Sequence, residues 1–210
     1  MFKRQFTFQS VRGVIAVSVL ALGGAISSAA AQSQNDINVP PVPPGIAVPA
    51  GHVPFLQGHA TGTQDYICLV THSGFTWKFL GPQATVFESL NGSYSQVATH
   101  FLSVNPSEGA ARATWQHSAD SSLVWAKTVA SSTDPNFVQP GAIAWLRLEA
   151  AGSQLGTGGG SLLAKTTFIQ RVNTSGGLAP ATGCSNAKDV GVMALVPYTT
   201  DYIFYALDPQ

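Results

Sequence analysis

Charge is scarce in this sequence. Ten basic and ten acidic residues make up only 10% of 210 positions, too few for the basic stripe that a nucleic-acid surface needs. Cysteine is scarcer still, with Cys68 and Cys184 alone, and no C-x-x-C redox pair can be written. The glycines at 156, 158, 159 and 160 lack the following Lys-Ser/Thr and the βαβ setting of a phosphate-binding loop. A G-x-S-x-G nucleophile elbow is absent, as is H-E-x-x-H. No 20-to-50-residue repeat is visible, and helical periodicity is missing throughout.

What is present begins with a leader. Lys3, Arg4 and Arg12 precede an apolar stretch from Val14 to Ile26, which ends on Ser28-Ala29-Ala30-Ala31 before Gln32. This is the charged, apolar and small-residue order of a cleaved signal peptide, and about 13 apolar residues fall short of the roughly 20 that span a bilayer. A transmembrane anchor is therefore not expected, and the protein should be secreted or periplasmic. Cleavage after Ala31 leaves 179 of the 210 residues, with seven basic and ten acidic groups, or net −3. That length suits one domain with a real core.

Three segments are predicted: a signal peptide over 1–31, a Pro-rich extended arm over 32–54, and an all-β domain over 55–210. The arm carries "NVPPVPPGIAVPAGHVP", whose prolines favour polyproline-like backbone and whose Val39, Val42, Ile46 and Val48 are available to pack on the domain. Beyond it the strand period recurs. "FTWKFLG" sets Phe75, Trp77 and Phe79 against Thr76 and Lys78, and "AIAWLRLEA" sets Leu146 and Leu148 against Arg147 and Glu149. Similar runs occupy 55–60, 63–70, 83–88, 94–103, 112–117, 122–130, 165–173 and 201–207. Turn signals such as Gly81-Pro82, Asp134-Pro135 and Pro140-Gly141 separate them, and Asn91-Gly92 is the strongest hairpin signal. The expected fold is all-β, a single-domain antiparallel β-sandwich or closed β-barrel of about ten short strands. "GTGGGS" at 156–161 reads as a flexible surface loop.

Export bears directly on the two cysteines. In an oxidising compartment they have one intramolecular pairing available, Cys68 with Cys184, with an expected Cα–Cα separation of about 4.4 to 6.8 Å. Alternation in "GTQDYICLV" leaves both faces of that strand largely apolar, so it should lie inside the fold. The crosslink would tether a segment around Cys184 with little apolar content of its own.

Candidate chemistry is sparse. His100, within "VATHFL", shares a strand face with Ala98 and Leu102, an apolar setting for a titratable ring. A histidine metal site built on His59, His100 and His117 is the weaker alternative, and no metal or other cofactor is expected. "IQRVNTSGG" brings Arg171, a planar fork for a carboxylate, together with Asn173 and a Gly-Gly turn. Aromatic residues at strand spacing, Trp115 and Tyr202 among them, read mainly as core, with a sugar platform as the other use.

The stretches "GTQDYICL", "GPQATVF", "THF", "ATWQ", "TTFIQRVNTSGGLAPATGC" and "VPYTTDYIFY" together resemble a secreted bacterial and fungal family known as domain of unknown function 3455. The resemblance covers roughly 55 to 207. It implies an extracytoplasmic domain with a cysteine pair and assigns no activity. It also marks Gln64, Tyr66, His100, Trp115, Arg171, Asn173 and Tyr202 as positions of the pattern, of which Tyr66, His100, Trp115, Arg171 and Asn173 are the ligand-binding candidates. One departure stands out. The pattern follows its Trp with Asp-Gly-Ser, whereas here Trp115 is followed by Ala119-Asp120-Ser121 without the glycine. With no recognisable nucleophile or acid–base pair, the expected role is a non-enzymatic module binding a small polar ligand or glycan. The alternatives are a His-based metalloenzyme and a structural cell-envelope protein.

Overall fold

A computed structural model describes residues 37–90 and 93–209. The signal-peptide segment and the Asn91-Gly92 turn lie outside the described residues. Eight strands run β1 (His52–Thr71), β2 (Gly74–Leu90), β3 (Ser93–Asn105), β4 (Ala110–His117), β5 (Leu123–Ser132), β6 (Trp145–Gln154), β7 (Phe168–Gly176) and β8 (Met193–Leu207). Each pairs antiparallel with its sequence neighbour, and β8 pairs with β1 from His52↔Leu207 to Ile67↔Met193, so the sheet closes into a barrel. Closure removes the unpaired sheet edges that a sandwich would leave.

The ten sequence runs become eight strands because two pairs fuse. Runs 55–60 and 63–70 join as β1 through Gly62, where a Cβ would lie 2.0 Å from the Gln83 carbonyl oxygen, so only glycine lets β2 approach. Gly81-Pro82, expected as a turn, lies inside β2. Asp65 pairs with Gly81 but Tyr66 with Phe79, leaving Leu80 as an extra residue in a β-bulge. A bulge tolerates the proline that a regular ladder position would not.

Alternation along the strands fills two cores. The lumen is packed at one end by Ala60, Val86, Ala98, Val124, Leu163, Ile169 and Phe204, with Trp115, Leu148 and Tyr202 above them. A second core lies on the outer face of β6, β7 and β8, where Trp145, Val172, Ile203 and Tyr205 meet the proline-rich segment. That segment makes one 3-10 turn at Pro44–Ile46, flanked by Pro43 and Ala47 with polyproline-like dihedrals. Val39, Val42 and Val48 pack there around the fully buried Ile46. Gln170 Nε2 donates to the Ile46 carbonyl at 2.8 Å and Arg147 to that of Ala47. β1 itself begins at His52, within the stretch read as arm.

Cys68 and Cys184 form the expected disulfide, with Cα atoms 5.4 Å apart. Cys68 is fully buried, but the strand around it is wetter than its pattern suggested: Leu69 is 38% and Val70 65% exposed. Beyond Ile67 the ladder to β8 ends, and β2 alone continues as a regular partner. The 156–161 stretch is also more constrained than a linker. Gly156 N–H donates to Gly160 O at 2.8 Å, and a Cβ at 156 would fall 1.6 Å from the Asp120 carbonyl. Asp120 in turn accepts from Ser122 N–H and Leu162 N–H, fastening this loop to the β4–β5 connection. There Ser121, following Asp120, takes the left-handed conformation glycine favours, with φ 60°.

Candidate functional site

At eight strands a barrel interior either fills with side chains or holds one small ligand. Here one end is filled and the other holds an open cavity of about 470 Å³ to which every strand contributes, within the range of small-molecule sites. Gln64 and Tyr66 enter from β1, Phe79 and Pro82 from β2, His100 and Leu102 from β3. Ala113 and Trp115 on β4, Thr128 on β5 and Leu146 and Leu148 on β6 form the opposite wall, with Arg171 on β7 and Tyr202 on β8 completing it. The β5–β6 connection adds Thr133 and Ala142, Ile143 and Ala144, and Leu178 adds from the segment after β7. These two segments are joined by an Ala142↔Gly177 bridge, and Ile143 N–H donates to Gly176 O at 2.9 Å.

At the floor, His100 stacks on Trp115 with ring centroids 4.0 Å apart and planes 11° from parallel, while Tyr202 meets both edge-on at 5.1 Å. His100 Nδ1 lies 2.9 Å from the Thr114 carbonyl oxygen. Complete burial lowers its pKa from 6.5 to about 3; the Thr114 carbonyl opposes this in part, and the Arg171 charge adds to it. The ring is thus neutral near pH 7. The hydrogen-bond network assigns the proton to Nδ1, leaving Nε2 as an acceptor. Burial likewise raises the Tyr202 and Tyr66 hydroxyls, with Arg171 counteracting in both cases. Both phenols therefore stay protonated, and Tyr66 donates to the Gly177 carbonyl at 2.7 Å.

Among the described residues, Arg171 is the one permanently charged residue of the wall. Its Nε and Nη2 donate to the Ala144 carbonyl at 3.1 and 2.8 Å, and no carboxylate pairs with it among the described residues. Its remaining N–H groups have no protein carboxylate to meet. Two further donors, Gln64 Nε2 and Trp115 Nε1, are covered by protein atoms without a hydrogen-bond partner of normal geometry, which costs free energy; the Gln64 amide is directed at the Tyr198 hydroxyl.

The structure gathers Tyr66, His100, Trp115 and Arg171 around one cavity and leaves Asn173 out. Continuing the alternation Ile169, Arg171 would carry Asn173 into the lumen. Instead β7 bulges between Val172 and Ser175, and Asn173 takes φ 52°. Its Nδ2 donates to Asp201 Oδ2 at 2.8 Å, and Asp201 Oδ1 also receives His59 Nδ1 at 2.8 Å. His59 is thus on this outer cluster, His100 in the lumen, and His117 at the end of β4 accepting from Ala119 N–H at 3.2 Å. These three histidines do not converge, and among the described residues no group of three or more His, Cys, Asp or Glu is arranged to hold a metal.

Sequence reasoning missed the apolar wall: Phe79, Leu102, Leu146, Leu148 and Ile143. The signal was available for Leu146 and Leu148, whose alternation against Arg147 and Glu149 was plain, but without closure it identified only an inner face. Among the described residues no helix is long and apolar enough to cross a membrane. Comparison with curated proteins and with solved structures finds no match to this chain. Residues 49–206, which run from just before β1 nearly to the end of β8, match the family described as Protein of unknown function (DUF3455), and the chain belongs to that family.

Proposed function

We propose that this protein is an exported, non-enzymatic module that binds one small organic molecule in the barrel lumen. The observation that carries the reading is the cavity of about 470 Å³ whose mostly apolar wall holds Arg171, a guanidinium that no carboxylate pairs with among the described residues. Empty apolar space and an unpaired guanidinium both cost stability, and a ligand with an apolar body and a polar end relieves both. The wall is mostly aliphatic and aromatic, which suits such an amphiphile better than a fully hydroxylated glycan. Action outside the cytoplasm is supported by the Cys68–Cys184 disulfide, a bond that persists in oxidising compartments.

The test is native mass spectrometry and solvent extraction of protein purified from its periplasmic or culture fraction, followed by thermal-shift screening. A bound small molecule or a saturable stabiliser is expected, and Ala113→Trp, which fills the lumen, should abolish its binding. Binding undiminished by Ala113→Trp in a folded variant would remove the lumen as the site.

A further inference from the structure

We infer that the lumen takes a monoanion, specifically a small monocarboxylate with an apolar body. This rests on the lumen reading above and narrows it to a ligand class. Among the described residues the cavity wall contains Arg171 and no Asp, Glu or Lys. Its other titratable groups, His100, Tyr66 and Tyr202, are neutral near pH 7, so among the described residues the wall carries one positive charge and no negative charge to offset it. A half-buried guanidinium is ordinarily paired. Arg171 spends one edge of its fork on the Ala144 carbonyl and also interacts with the neutral Tyr202 hydroxyl, neither of which brings a balancing negative charge.

The hydrogen-bond inventory points the same way. Arg171, the charged group of the wall, can only donate, and a carboxylate is acceptor-only and takes a bidentate arginine contact. A neutral sugar or amide brings donors of its own, which would have to compete for the few acceptors in the wall. Charge counting sets the valence: one guanidinium balances one negative charge, and the second charge of a phosphate monoester would be buried without a partner. Leu102, Leu146 and Leu148 supply the surface for an apolar body.

Matched acid and amide probes on the whole mature protein decide the point. Cinnamate, benzoate and decanoate are titrated against cinnamamide, benzamide, decanamide and phenyl phosphate, following tryptophan fluorescence and thermal shift at pH 7. At least one acid should bind ten times or more tightly than its own amide and more tightly than phenyl phosphate. Arg171→Gln should erase that preference and Arg171→Lys should keep part of it. The acid–amide comparison on the unaltered protein does not depend on either variant folding. Amides equal to acids, or phenyl phosphate preferred, overturns the monocarboxylate and leaves lumen binding intact. No binding by any of the seven probes also overturns it. If extraction and screening of the exported protein are blank as well, the lumen reading falls with it.

Discussion

Acidification from pH 7 to pH 5 should destabilise this barrel through His100 alone by about 2 kcal/mol. In the folded protein the ring stays neutral until its depressed pKa of about 3, against 6.5 for a free ring. The unfolded chain therefore binds a proton that the native state refuses throughout the window from 6.5 down to 3. Stability rises with pH wherever the unfolded state holds more protons, so this contribution is complete above 6.5 and is lost as pH falls. Its slope approaches about 1.4 kcal/mol per pH unit. Partial protonation near 6.5 reduces the change between pH 7 and 5 to about 2 kcal/mol, a large share of a typical 5–15 kcal/mol. The assay is equilibrium urea unfolding at pH 7, 6 and 5 for the unaltered protein and for His100→Gln. The variant sacrifices the stack on Trp115 and will be weaker at every pH, so the quantity read is the difference in pH slope, which cancels all other titrating groups. Equal slopes in the two proteins would refute the claim that a buried, neutral imidazole forms the floor of the cavity.

Replacing both cysteines with alanine should lower stability by about 2 to 5 kcal/mol, since the crosslink closes a 116-residue separation and the chain-entropy upper figure is near 5; urea unfolding showing a loss below about 1 kcal/mol would contradict it. Ser121→Gly should raise the melting temperature by relieving the left-handed φ of 60°, a gain of about 0.5–1 kcal/mol after the added flexibility of the unfolded glycine, and calorimetry that finds destabilisation would argue against that backbone conformation.

Local alternation was enough to recover the strands and the facing of most side chains. In β3, Ala98, His100 and Leu102 share the lumen face as their spacing implies, and in β6 Leu146 and Leu148 face in while Arg147 and Glu149 face out. Reading failed where the period itself breaks. Leu80 is an inserted residue, so Gly81-Pro82 looked like a chain reversal although β2 continues through it. Asn173 sits within another bulge, and a period-2 projection from Arg171 puts it on the wrong side of the sheet. A bulge reverses the facing of everything beyond it, yet it leaves only a glycine, a proline or an Asn-rich stretch in the sequence, the same residues that signal turns.

Barrel closure is a different kind of omission, because β1 and β8 meet across nearly the whole chain and no local pattern encodes that pairing. The polar candidates were identified as separate strand positions; what joins them is the return of β8 against β1, which brings Tyr202 opposite Gly58 and carries Arg171, on β7, within reach of the same interior. Closure also decides what Arg171 means. On an open sheet its outer N–H groups would face water and a nearby carboxylate would satisfy them. Inside a closed barrel whose other end is sealed by Ile169 and Phe204, no carboxylate among the described residues lines the wall. The second core has a related effect: with Ile46 and its neighbours covering the outer face of β7 and β8, Arg171 is held on a strand packed from both sides. A cation so positioned is costly as a structural device, because an apolar residue would fill the lumen at lower electrostatic cost. That excess cost is the physical reason to look for its partner among molecules that enter from outside.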